Sequence, residues 1–214
     1  MDTLIIEKKN EVYITVDCDP NVQRELSEFF TFYVPGYKFM PAFRNRMWDG
    51  KIRLFSQKTK EIYFGLFPYI KAFAEEREYH IVCGKDVEVK NKVDKDIVEK
   101  FSNSLGQKFE ARDYQVDAIY HSLKYNRALL LSPTASGKSF IIYALIRYYT
   151  HLIKDETNNR ILLIVPTTSL VEQMYSDFKS YGWNVEKNCH RLYSGYSNQT
   201  DKKVLISTWQ SLYK

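Results

Sequence analysis

Leu129-Leu130-Leu131-Ser132-Pro133-Thr134-Ala135-Ser136-Gly137-Lys138-Ser139 decides the fold. The leucines read as the end of a buried strand, the small residues as a loop, and the apolar-periodic run from Lys138 onward as a helix. Such a strand-loop-helix turn aims successive backbone N–H groups, and the positive end of the helix, at one spot. That spot is a cradle for phosphate oxygens. Gly137 lets the backbone pass close to the phosphates, Lys138 reaches the β and γ phosphates, and the Ser139 hydroxyl is placed to ligate Mg²⁺. Pro133, Thr134, Ala135 and Ser136 complete the candidate ATP-binding set, with Lys138 as the candidate catalytic cation. The first glycine of the general Gly-x-x-x-x-Gly-Lys-Ser/Thr pattern is Ser132 here, so only small size is kept. A polar loop with an incidental Gly-Lys-Ser is the bland alternative; the flanking strand and helix argue for the nucleotide.

Working outward, the pattern alternates. A helix is expected over 113–125, a strand over 128–131, a helix over 138–153, a strand over 161–165, a helix over 169–181 and a strand over 204–207. That order implies an α/β fold with a parallel sheet and helices on both faces. Ser169 and Glu172 have the spacing of a capping box at the start of their helix.

The chain has 214 residues, enough for two compact domains. Hydrophobic residues make up 44% and charged residues 27%, which argues against disorder. A net charge of +5 permits a phosphate-polymer partner without demanding one. Cys18, Cys83 and Cys189 form no Cys-x-x-Cys pair, so neither a zinc site nor a disulfide framework is indicated, and a reducing cytoplasm is expected. No apolar run approaches the roughly 20 residues of a membrane span, and the N-terminus lacks a signal-peptide pattern. His80, His121, His151 and His190 have no metal-ligand spacing.

The first part of the chain reads as α+β. A strand over 12–16 leads to a helix capped by Asp19, with Pro20 in its first turn and Val22, Leu26, Phe29 and Phe30 on one face. Residues 39–55 read as a hairpin turning at Asp49-Gly50. A short strand over 61–64, a helix over 68–77 and a strand over 80–83 follow. Between 84 and 96 the composition shifts to alternating charge, the mark of a linker. The expected domains are therefore 1–90, small and α+β, and 91–214, α/β.

Four stretches in order carry a resemblance. Pro133 to Ser139 resembles motif I of superfamily-two helicases, and Arg112-Asp113-Tyr114-Gln115 upstream resembles their Q motif. Residues 161–170 resemble motif Ia, and residues 204–212 the next strand-edge motif. The resemblance implies a RecA-like P-loop motor domain in which Arg112, Tyr114 and Gln115 serve the adenine. Thr167, Thr168 and Thr208, at the carboxyl edge of the sheet, are candidate phosphate contacts for nucleic acid. Helix capping is an equal use for the first two. Trp209 is as easily core as functional. The acidic box that holds Mg²⁺ in such motors would lie beyond Leu212, and the chain ends at Lys214. A truncated chain is therefore expected, one that binds ATP but hydrolyses it weakly or not at all.

Basic residues crowd the stretch 38–60, with Lys38, Arg44, Arg46, Lys51 and Arg53 interleaved with Tyr37, Phe39, Phe43, Trp48 and Phe55. Cations for phosphates beside aromatics for bases make a candidate nucleic-acid surface; the bland reading is a small aromatic core with solvated cations outside. The stretch 36–39, the stretch 44–54 around Trp48-Asp49-Gly50, and Phe64-Gly65-Leu66 resemble the N-terminal domain of the UvsW-type recombination helicases of tailed bacteriophages. That resemblance implies DNA partners, branched or duplex, such as forks and Holliday junctions, with RNA–DNA hybrids possible. An RNA helicase or a duplex-DNA translocase shares the motor motifs, and a nucleotide-sensing module without catalysis is the alternative of another class. The oligomeric state has no signal in the sequence.

Overall fold

The computed structural model describes residues 2–87, 91–153, 159–197 and 199–213. The chain divides into two compact units, Met1–Val89 and Lys90–Lys214.

In the first unit, β1 (Thr3–Lys8) and β2 (Tyr13–Asp17) form an antiparallel pair. Both alternate: Leu4, Ile6, Ile14 and Val16 are fully buried while their neighbours face outward, the period-2 signature of a half-buried sheet. Helix α1 (Pro20–Phe29) is capped by the Asp19 carboxylate, which accepts from the Asn21 N–H at 2.8 Å. It buries Val22 and Leu26. Phe29, expected on that face, is 44% exposed; the helix ends there, and Phe30, just beyond it, takes the buried place. β3 (Thr31–Tyr33) follows, then α2 (Pro41–Arg44), β4 (Lys51–Arg53), β5 (Glu61–Tyr63), α3 (Phe67–Glu76) and β6 (His80–Cys83). β5 lies beside β2 and β6 beside β1, giving the sheet order β5-β2-β1-β6, with β1 and β6 parallel.

The hairpin expected over 39–55 is not formed. β4 pairs instead with β3, Phe32 opposite Ile52, and the chain between them is helical in two short pieces, Tyr37–Phe39 and α2. Proline explains the difference. Pro41 has no N–H to give a strand ladder, and its fixed φ suits the first position of a helix. The turn at Asp49-Gly50 does exist: Gly50 has φ +78 and is buried.

In the second unit, α4 (Lys95–Asn103), which the charged composition concealed, precedes α5 (Asp113–Tyr125) and α6 (Lys138–Leu152). Then come β7 (Ile161–Val165), α7 (Thr168–Ser180), α8 (Val185–Asn188), β8 (Cys189–Leu192), β9 (Val204–Thr208) and α9 (Trp209–Leu212). β9 is the middle strand of a parallel sheet ordered β7-β9-β8. Phe140, Tyr143, Val171, Phe178, Val204 and Ile206 are all buried in one core, which ties α6, α7 and the sheet together.

Two expectations are corrected here. Residues 128–131 carry no regular secondary structure and pair with no strand among the described residues, and Leu129 and Leu131 are 84% and 89% exposed. An extended segment becomes a strand only when a neighbour takes its N–H and C=O groups. On β7, an edge strand, Leu162 and Ile164 are exposed, while Ile161, Leu163 and Val165 pack into the core; on the central β9 both faces are covered, with Val204, Ile206 and Ser207 buried. The helix after β7 is capped by Thr167, whose hydroxyl accepts from the Leu170 N–H, and not by Ser169; Glu172 is left free to bond elsewhere.

Gly50 carries a sharp test. A Cβ there would lie 2.3 Å from Cδ2 of the Tyr37 ring, which stacks on Tyr33 and meets Phe43 edge-on. Left-handed backbone adds to the strain. Gly50→Ala should lower the stability of the first unit by about 2 kcal/mol in urea unfolding, and an unchanged midpoint would refute the packing.

Candidate functional site

Two residues in the left-handed region, Ala135 at φ +63 and Gly137 at φ +77, curl the loop between residue 131 and α6. The Ser136 hydroxyl donates to the Pro133 carbonyl at 2.9 Å and is hydrogen-bonded to Ser132, so the residue at the first glycine position helps close the loop. The Lys138 ammonium donates to the carbonyls of Ser132 and Pro133, at 3.2 and 2.7 Å. Its charge is thus held within the curl. The Ser139 hydroxyl shares a hydrogen bond with Tyr181 at 3.1 Å, and the exposed Thr134 lines the cavity beside the loop.

Helix α5 clamps this loop from the side. The Tyr114 hydroxyl and the Gln115 amide both donate to the Ser136 carbonyl, at 3.0 and 3.2 Å. The Gln115 carbonyl oxygen accepts from the Arg112 N–H at 3.0 Å, and the Arg112 guanidinium donates to the Tyr114 hydroxyl at 3.1 Å. Gln115 is buried, and its bonds run to the loop and to its own helix start. The cavity of about 580 Å³ is lined instead by Tyr114, Ala118, His121 and the loop. Ala118 and His121 lie one and two helical turns beyond Tyr114 and were legible only through the 3.6-residue period.

The candidate nucleic-acid residues fall into two places. At the carboxyl ends of the strands, Thr167, Thr168 and Thr208 line one cavity of about 520 Å³ with Tyr193, Tyr196 and Gln210. Thr167 and Thr168 are exposed; Thr208 is buried, its hydroxyl 3.0 Å from that of Ser211. Capping α7 uses an oxygen lone pair of Thr167 and leaves its proton available to a phosphate. In the first unit, Lys38, Arg44, Arg46 and Trp48 line a cavity of about 540 Å³ with Phe43 and Asp49. Trp48 is anchored there by its indole N–H, which donates to the Lys51 carbonyl at 2.9 Å. Lys51 and Arg53 do not line this cavity. The Lys51 ammonium lies 4.9 Å over the Tyr33 ring, and Arg53 is paired with Asp49, whose carboxyl it holds below the ordinary carboxylate range.

Among the described residues no group of three or more His, Cys, Asp or Glu could hold a metal, and no helix is long and apolar enough to cross a membrane. Mg²⁺ that arrives with a nucleotide keeps several waters and takes much of its coordination from phosphate oxygens, so it needs no all-protein cage.

A curled Gly-Lys-Ser loop clamped by a glutamine-bearing helix, beside parallel strands whose ends carry hydroxyls, defines the nucleotide-binding domain of a superfamily-two helicase motor. The comparisons agree. Residues 108–214 match the family model described as the res subunit of type III restriction enzymes, and residues 5–84 match the one described as the N-terminal part of DNA helicase UvsW. The chain is 32% identical over 211 residues to the ATP-dependent DNA helicase uvsW of Enterobacteria phage T4, covering 94% of this chain and 41% of that protein. The crystal structure of the UvsW helicase from bacteriophage T4 superposes with a TM-score of 0.87 at 30% identity, over 99% of this chain and 76% of that one. A second crystal structure of T4 UvsW gives 0.88 at 31% identity, over 100% of this chain and 44% of that one. The chain belongs to the UvsW family of DNA helicases.

A Cβ on Gly137 would lie 2.4 Å from the Gln115 amide nitrogen. Gly137→Ala should therefore strain the left-handed backbone, displace the Gln115 amide from the Ser136 carbonyl and weaken Mg-ATP binding by about tenfold or more in isothermal titration. Unchanged affinity would show that the clamp does not shape the nucleotide site.

Proposed function

We propose that this chain is the nucleotide-binding and DNA-engaging part of an ATP-dependent DNA helicase that, in the whole protein, remodels branched DNA such as forks, R-loops and Holliday junctions. The observation that carries the reading is the Lys138 ammonium held on the Ser132 and Pro133 carbonyls inside a loop that Tyr114 and Gln115 clamp. A cation so placed needs only to turn from neutral carbonyls to charged phosphates, a stronger acceptor. Backbone N–H groups and the start of α6 hold the phosphates of ATP, Ser139 reaches Mg²⁺, and Tyr114, with Arg112 behind it, borders the adenine. DNA is the proposed polymer because the matched T4 protein is named a DNA helicase and because Arg44, Arg46 and Lys38 surround Trp48 in one cavity. Thr167, Thr168 and Thr208 position a strand through its phosphates.

Two measurements test this. Lys138→Ala should weaken Mg-ATP by about ten- to a hundredfold, the worth of a charge-assisted contact, and equal binding would leave a loop that only shapes the fold. For DNA, anisotropy titrations of forked, duplex and single-stranded substrates across salt concentrations should give a log-log slope that falls by about two units in the Arg44→Ala/Arg46→Ala double variant. A wild-type preference for RNA would favour the RNA-helicase alternative, and absence of binding to any strand would remove the DNA reading.

A further inference from the structure

The strand-end cavity contains more than hydroxyls. Tyr196 lines it, half-buried, with the Arg191 guanidinium 4.7 Å from its ring centroid and Tyr193 edge-on at 4.8 Å. Arg191 is itself fixed. Its other neighbour is the Tyr175 ring at 4.2 Å, and it donates to the Glu172 carboxylate at 2.6 Å. Glu172 also accepts from the Tyr193 hydroxyl at 2.6 Å. That bond from Tyr193, with the bond from Arg191, holds the Glu172 carboxyl below its usual range, so the anchor is charged at neutral pH.

This arrangement is more than a loop needs. An exposed turn at 193–197 would be satisfied by its own backbone bond, Tyr196 N–H to the Tyr193 carbonyl at 3.0 Å. Instead one carboxylate on α7 and one guanidinium on β8 immobilise two tyrosines beside three threonines. Single-strand binders combine phosphate contacts with fixed aromatic rings on which bases stack, since every base offers a π-face. Arg191 against the ring adds a cation–π contact that stiffens the platform without pairing to a phosphate.

We propose that Tyr196 is a base-stacking residue: it receives one nucleobase of a single DNA strand whose phosphates lie on Thr167, Thr168 and Thr208. Glu172 and Arg191 are its positioning residues. The inference rests on the DNA reading above and adds to it a contact to bases at an edge whose other groups reach phosphates.

The test compares two strands with the same number of phosphates, oligothymidylate and an abasic-linker strand, by anisotropy with the full 214-residue chain. The wild type should prefer oligothymidylate by about tenfold, the size of one base–aromatic stack. Tyr196→Phe should keep the preference. Tyr196→Leu, which retains bulk but not the π-face, and Tyr196→Ala should both lose it. A preference that survives in Tyr196→Ala, or its absence from the wild type while both strands bind, overturns the stacking role and leaves the DNA reading standing. Failure of the wild type to bind either strand overturns the DNA reading itself, and this inference with it.

Discussion

The Ser136 carbonyl is the point on which the candidate nucleotide site depends. A carbonyl oxygen has two lone pairs, and here Tyr114 and Gln115, both on α5, take both. The Gln115 half of the clamp fits because the next residue has no side chain, since a Cβ on Gly137 would lie 2.4 Å from the Gln115 amide nitrogen. The left-handed backbone at Gly137 in turn starts α6, so the same residue sets the loop's curl, the helix start and the approach of α5. The glutamine upstream, the glycine and the lysine are one mechanical unit, which is why their separation by more than 20 residues in sequence carries no penalty in space.

What the sequence made legible follows from local chemistry. Helices α1, α3, α5, α6 and α7 and strands β7 and β9 announce themselves through periodicity and caps, and the phosphate loop through its short spacing. β1 escaped because Glu7, Lys8 and Lys9 dilute its end, and α4 because its charges outnumber its apolar stripe of Val98 and Phe101. The strand expected over 128–131 failed for a different reason: three leucines in a row state only that the segment is apolar, and strandhood is a property of two segments. The capping box at Ser169 and Glu172 failed because Thr167, two residues before Ser169, offers a hydroxyl at the true start of α7.

In the first unit the basic and aromatic composition was visible, but its arrangement was not. Reading 39–55 as a hairpin set all its aromatics on one ribbon. Pro41 and the left-handed Arg46 fold it into a compact knot in which Tyr37 packs against Tyr33 and Phe43, and only some cations face the cavity. Asp49 selects among them. By neutralising Arg53 it leaves Arg44, Arg46 and Lys38 around Trp48, so the lone acid of the stretch helps decide which positive charges a phosphate meets.

The two proposed nucleic-acid surfaces are built from different chemistry, and that difference has a physical consequence. Guanidinium contacts to phosphate release counterions and weaken steeply as salt rises. Threonine hydroxyls release none, and a tyrosine stack depends on contact area rather than charge. On this reading, the first unit's affinity is long-ranged and ionic, and suited to drawing a polyanion in. The grip of the strand edge is short-ranged and nearly neutral. A neutral grip can be made and released at small electrostatic cost, provided the groups that shape it carry no unpaired charge. Fixing Tyr196 through Arg191 and Glu172 fits that requirement, because the charges that brace the ring are satisfied by each other and do not compete for the phosphates.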